Sequence, residues 1–164
     1  MIWLINMRKK VKQGFTLIEM LIVVAIIGLM ATVIVVAVNP VHQLAKARDT
    51  QRETDLYSIL AAIYQYSSEH SGAWPDTDGN PLTSNFPASL TCIGTNPGCF
   101  NLAGAGNSGD TIVPVYMASL PLDPKPKNPG EGTNGNTGYK IMLDANNRLV
   151  ASASGETKAI SATR

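Results

Sequence analysis

The sequence has little charge, few aromatic rings and almost no cysteine. Charged residues make up 15% of the 164 and aromatic residues 6%, and the formal net charge is +1. That balance excludes a strongly basic nucleic-acid binder, and 45% apolar content excludes a chain disordered throughout. Two cysteines and two distant histidines, His42 and His70, do not make a four-ligand zinc set. Neither histidine sits in a nucleophile signature, no glycine loop precedes a lysine and a helix, and the carboxylates are scattered. No enzyme is therefore expected. Internal repeats are absent, and the length suits one modest domain rather than two.

What the chain does have is one long apolar run. From Phe15 to Val38, only Thr16, Glu19, Gly28 and Thr32 are not strongly apolar. A bilayer core about 30 Å thick needs roughly 20 helical residues, so this segment has membrane length. Arg8, Lys9, Lys10 and Lys12 precede it, and without residues 1–14 the balance is nine basic against twelve acidic residues. Lys46, Arg48 and Arg52 beyond the run leave the basic bias too small to fix orientation. A secretory signal would place its cleavage site after the apolar stretch. Here the order is inverted, because Gly14 lies before it and cutting there leaves the helix on the mature chain. Met7, directly before the basic cluster, is as good a start of translation as Met1.

Gly14-Phe15-Thr16-Leu17-Ile18-Glu19, leading through Met20 to Gly28 without a polar interruption, resembles the processing signal and membrane helix of type IV prepilins and type II secretion pseudopilins. The resemblance implies cleavage between Gly14 and Phe15 by prepilin peptidase on the cytoplasmic side and methylation of the new Phe15 amine. It also fixes the N-terminus as inside. For Glu19 the residues alone leave two readings open. A carboxylate in an apolar helix is costly and usually has a partner, whereas Thr16 and Glu19 also have the spacing of a capping box. The resemblance favours attraction between Glu19 and the Phe15 amine of a neighbouring subunit during assembly. Gly28, Thr32 and Ala25, Ala31 and Ala37 would allow close helix approach, or are ordinary membrane-helix composition. Pro40 after Asn39 is expected to kink or loosen the rod; many pilins have such a proline about one turn earlier, where this chain has Val36.

Residues 41–70 lack glycine and proline and read as a continuing helix. Lys46, Asp49, Arg52 and Asp55 alternate in sign at spacing three, which reads as a solvated face in preference to an intersubunit salt-bridge ladder. Leu56, Ile59, Leu60 and Ile63 form an apolar stripe that needs a sheet to cover it. Residues 71–138 hold 11 of the 14 glycines and nine of the ten prolines, so loops dominate there. Thr111 to Met117 is a β candidate that Pro114 confines to an edge. Tyr139 to Leu143 and Arg148 to Ala153 flank a turn at Asp144–Asn147 and read as a hairpin, with Thr157 to Ala162 as a third strand. The expected fold is α+β: a long N-terminal helix, membrane-spanning in its first half, packed against a small C-terminal antiparallel sheet. Its expected divisions are a cleaved leader 1–14, a transmembrane and filament-core helix 15–38, an extracytoplasmic continuation 39–70 and a loop-rich globular domain 71–164.

Cys92 and Cys99 bracket a turn-prone hexapeptide and read as a disulfide in an exported domain, the alternative being two free thiols. Asp76-Thr77-Asp78-Gly79-Asn80 opens like a calcium loop, but Pro87 stands where the closing glutamate belongs, which excludes an EF-hand. Major pseudopilins often bind calcium near the final hairpin, and residues 120–124 leading to Gly138-Tyr139 faintly resemble that region. Turn chemistry accounts for the same residues, so no cofactor is expected and calcium stays the lesser alternative. The resemblance implies a structural pilin that forms a helical homopolymer. Its implied partners are prepilin peptidase, the membrane before assembly, and an assembly ATPase acting through a membrane platform protein, with nucleic acid disfavoured. The precursor would be a single-pass protein of the cytoplasmic membrane, and the product an extracellular pilus. Alternatives are a major pseudopilin in a periplasmic pseudopilus, a minor pilin for adhesion or DNA uptake, and a signal-anchored binding domain.

Overall fold

The structure is a computed structural model describing residues 14–79, 84–107 and 109–164. The leader's Arg8, Lys9, Lys10 and Lys12 and the alternative start Met7 lie outside the described residues. The chain divides into two compact units, Met1–Pro40 and Val41–Arg164.

In the first unit, helix α1 spans Leu17–Val38 and every one of its residues is exposed. Thr16 caps its start, and Asn39 ends it in the left-handed conformation, φ 45° and ψ 77°. Helix α2, Pro40–Glu69, opens on the proline. At the first helical position a missing N–H costs nothing, since that donor has no intrahelical acceptor.

The second unit is built on α2. Strands β1 (Thr91–Cys92), β4 (Tyr139–Leu143), β5 (Leu149–Ala153) and β6 (Ile160–Thr163) form an antiparallel sheet in the order β1-β4-β5-β6. A separate two-stranded ribbon pairs β2 (Gly106–Asn107) with β3 (Asp110–Thr111). Alternation sets the sheet's buried face: Tyr139, Ile141, Leu149, Ala151, Ile160 and Ala162 are buried, while Lys140 and Ser161 between them are exposed. The α2 stripe of Leu56, Ile59, Leu60 and Ile63, extended by Tyr66, joins these residues in one core. Ile93, Leu102, Ala105 and Ile112 from the loops close its other side. The β4–β5 turn is held by Asp144, which accepts from the Asn146 and Arg148 amides at 2.9 and 2.8 Å and pairs with the Arg148 guanidinium.

One expectation needs correction. Strand structure in the Thr111–Met117 segment stops at Thr111; Ile112–Tyr116 is a helical turn interrupted at Val113. Pro114 has no N–H for a ladder, and the Met117 amide closes the turn on the Ile112 carbonyl at 3.0 Å instead. Helix α2 packs on the sheet through the Leu56, Ile59, Leu60 and Ile63 stripe, as expected. Truncating Leu60, which is fully buried, should cost about 2–5 kcal/mol. The matching change at Tyr57, which is 56% exposed, should stay within about 0.5 kcal/mol. Denaturant unfolding of the full chain in detergent micelles, followed by tryptophan fluorescence, measures both.

Candidate functional site

Gly14, Phe15 and Thr16 precede α1 without helical structure, and Thr16 is extended at φ −80°, ψ 151°. Phe15 is 75% exposed, and a Cβ built on Gly14 would meet nothing within 4 Å. An exposed, non-helical peptide is the form in which a peptidase can engage a bond. Immediately after it comes a capping box. The Glu19 amide donates to Thr16 Oγ1 at 3.2 Å, and the Thr16 amide to Glu19 Oε2 at 3.5 Å. These two contacts satisfy helix-start donors that would otherwise be orphaned in an apolar medium. The carboxylate is thereby held one residue from the Phe15 backbone nitrogen. Further along, the Thr32 hydroxyl donates to the Leu29 carbonyl at 2.8 Å and asks nothing of its surroundings.

The second charged constellation lies within the Val41–Arg164 unit. Arg52 is fully buried, and Asp49 and Asp123 are buried with it. Arg52 Nε and Nη2 donate to Asp123 at 3.0 and 2.6 Å, Nη1 to Asp49 Oδ1 at 2.8 Å, and Nη2 also to the Lys125 carbonyl at 2.7 Å. Asp49 in turn accepts from the Glu156 and Thr157 amides and the Thr157 hydroxyl at 2.7, 2.7 and 2.6 Å. Glu156 is gripped by the Arg48 fork and by Lys125 Nζ at 3.0 Å. Burial alone would raise the Asp49 pKa. Hydrogen bonds from Thr157, the Glu156 amide and Arg52 more than offset it, and the net shift is well below the ordinary carboxylate value. Hydrogen bonds from Arg48 and Lys125 hold Glu156 down at about 2. Two glycines make room for this network. A Cβ on Gly155 would fall 2.0 Å from the Lys158 carbonyl oxygen, and one on Gly138, at φ +88°, would fall 2.7 Å from Asp123 Cβ. The solvated charge face expected for Lys46, Asp49, Arg52 and Asp55 is thus overturned: Asp49 and Arg52 are buried, and Asp55 accepts from the Tyr139 hydroxyl at 2.6 Å.

Residues 9–35 match the prokaryotic N-terminal methylation motif. The chain carries the N-terminal motif of type IV pilins and pseudopilins. No curated protein and no solved structure matches it. The motif implies processing by prepilin peptidase and assembly into filaments in general, within a family of structural proteins that are generally not enzymes. An apolar helix of membrane length beside it is compatible with a membrane-anchored precursor.

Gly14, Phe15 and Glu19 stand together at the start of α1, while the other residues singled out from the sequence lie apart. Pro40 opens α2. Cys92 and Cys99 form a disulfide with Cα atoms 4.6 Å apart, and the Phe100 amide donates to the Cys92 carbonyl beside it at 2.7 Å. Asp123, in the region weighed for calcium, has both carboxylate oxygens on Arg52. Asp76 turns its Oδ1 to the Gly79 amide at 3.1 Å. Among the described residues no group of three or more His, Cys, Asp or Glu side chains is placed to hold a metal ion.

Replacing Arg52 with leucine leaves Asp49 and Asp123 buried without their cation, and should cost about 3–5 kcal/mol in denaturant unfolding. Lowered folded-state pKa values make the stabilisation from Asp49 and Glu156 complete above their ordinary values of 3.8 and 4.5. It is lost as pH falls from there toward about 2. Acid titration of the fold should follow that limb, and Asp49→Asn should flatten it.

Proposed function

We propose that the protein is the structural subunit of a type IV pilus-like filament. It is cut between Gly14 and Phe15, methylated on the Phe15 amine, and polymerised through α1. The observation that carries this reading is the complete exposure of α1 beside a processing motif. Its sixteen large apolar side chains from Leu17 to Val38 are each at least 46% exposed. Leaving them in water would forfeit about 1.5–3 kcal/mol for each. Lipid can cover such a helix before assembly, and only copies of the same helix can cover it afterwards. Extraction from lipid still needs work, which the family's cytoplasmic assembly ATPase would supply through its membrane platform protein.

Glu19 supports the same reading. Held by the capping box, its carboxylate stays beside the nitrogen that becomes a cationic amine on cleavage, and retains acceptor capacity for the amine of a neighbouring Phe15. The exposed side of α2 is compatible with close packing between copies. Thr50, Thr54, Tyr57, Ser58 and Ala61 are exposed and uncharged, and the first two threonines and Ser58 donate to carbonyls one turn back at 3.0–3.1 Å.

Two variants test the proposal in cells. A bulky residue at Gly14 should abolish the mobility shift of maturation. Glu19→Ala should mature normally yet lower the yield of sheared surface filaments at least about tenfold, a loss of over 1 kcal/mol of assembly free energy. Filaments at undiminished yield from Glu19→Ala would refute the assembly role. Long surface fibres distinguish a pilus from a short periplasmic pseudopilus, and electron microscopy reads the difference.

A further inference from the structure

The globular unit carries its charge unevenly along α2, in a way that the packing of α1 does not use. Between Arg52 and Lys125 the sequence holds seven carboxylates and neither a lysine nor an arginine. Folding sorts the two signs to opposite ends. Alongside residues 46–53 of α2, Arg48, Arg52 and Lys125 are balanced by Asp49, Asp123 and Glu156 in the network described above. Outside that network the same end carries exposed Lys46, Lys127 and Lys158 against Glu53 alone, whose Oε2 lies 3.4 Å from Lys158 Nζ. Among the described residues neither Lys46 nor Lys127 has a carboxylate partner. Lys127 and Lys158 line one open recess of about 420 Å³, beside Ser154 and Ala159. This end has a surplus of positive charge.

At the other end the sign reverses. Exposed Glu69 closes α2, about 35 Å from Lys46 at roughly 1.5 Å of rise per residue. Glu69 Oε2 and Asp110 Oδ2 each lie 3.0 Å from the Tyr116 hydroxyl, which holds the two carboxylates side by side. Asp76 joins them through its backbone carbonyl, which accepts from the Gly106 amide at 2.7 Å. With Asp78 it lines an open recess of about 330 Å³. Among the described residues no lysine or arginine pairs with Glu69 or Asp110. His70 Nε2, 3.1 Å from Asp110 Oδ2, offsets at most one of the four charges. This end is acidic whichever form the imidazole takes.

We propose that the acidic end of one copy's Val41–Arg164 unit docks on the basic end of the next copy's, with Glu69 and Asp110 meeting Lys127 and Lys158. The partner is a second copy of this chain because the two complementary surfaces lie on the same chain, too far apart to meet within it. Pairing like ends would set surplus charges of one sign against each other, which opposes association. Only head-to-tail contact satisfies both ends. Such a contact is heterologous, so each copy added leaves one acidic and one basic end unfilled, and the series stays open as a filament requires. The docking deepens the filament reading and rests on it, adding a second contact that sets spacing and direction between globular units.

The test treats the full chain in detergent micelles with a carbodiimide, which condenses a carboxylate and an amine only where they touch. Mixing nitrogen-14 and nitrogen-15 chains identifies links between copies by mass spectrometry. Mixed-isotope peptides joining position 127 or 158 to position 69 or 110 are expected. Their yield should fall at least about threefold as ionic strength rises from about 0.01 to 1 M, since the screening length shrinks from about 30 Å to about 3 Å. Glu69→Lys or Lys127→Glu alone should lower it at least about threefold, because each sets like charges together. The double variant Glu69→Lys/Lys127→Glu should recover it, with amine and carboxylate exchanged between the two positions. Absence of these links, a yield indifferent to salt, or a double variant no better than the single ones would overturn the docking. The readout needs no fibres: links found in cells' protein that forms none would defeat the filament reading alone, and fibres without the links would defeat the docking alone.

Discussion

Twenty-two consecutive residues, Leu17–Val38, form an apolar helix in which every residue is exposed. Water is a poor solvent for that surface, so the helix requires an apolar neighbour at every stage of the protein's existence. The polar features of α1 follow from the same constraint. Thr16 and Glu19 satisfy the first orphaned amides, and Thr32 bonds back to its own helix. What remains outward is hydrocarbon, together with a carboxylate fixed one residue from the Phe15 nitrogen. On the proposed reading these are the two requirements of assembly: a surface that exchanges lipid for sibling helices, and a charge that draws in an amine.

The globular unit meets a different demand, that of holding a small sheet on a helix through loops rich in glycine and proline. Arg52 is central to it. Its fork joins Asp49 on the same helix to Asp123, and Asp49 binds the Glu156–Thr157 backbone, so three distant stretches converge on one guanidinium. Arg48 and Lys125 on Glu156 bring the count to three cations against three anions, which limits the penalty of burying charge. The apolar core then needs to organise only the upper part of α2, where Leu56 through Tyr66 meet the sheet.

The two halves of the chain differ in how much the sequence discloses. The N-terminal segment was legible as an apolar helix carrying the methylation motif, because length, apolarity and the Gly-Phe-x-x-x-Glu spacing are local properties that no tertiary contact alters. The hairpin was legible too, since alternation and an Asp-Ala-Asn-Asn turn specify it without reference to the remainder. Asp49 and Arg52 were misread because alternating charge at helical spacing looks alike whether it faces water or a partner. A signal did exist. Continuing the apolar register of Leu56, Ile59 and Ile63 toward the N-terminus runs through Arg52, Asp49 and Ala45, which places both charges on the buried side. Their partners Asp123 and Glu156 lie more than seventy residues away, and no local pattern pairs them. Residues 112–116 failed for a related reason, since an apolar pentapeptide with a central proline has no period to separate a strand from a turn.

The central claim is that the apolar helix, freed of its basic leader, is the polymerising element. Intact-mass measurement on native protein recovered from sheared surface material tests it most directly. The account predicts a chain beginning at Phe15 with a methylated amine, recovered in assembled form. A chain still beginning upstream of residue 15, found as monomers in the membrane, would contradict it.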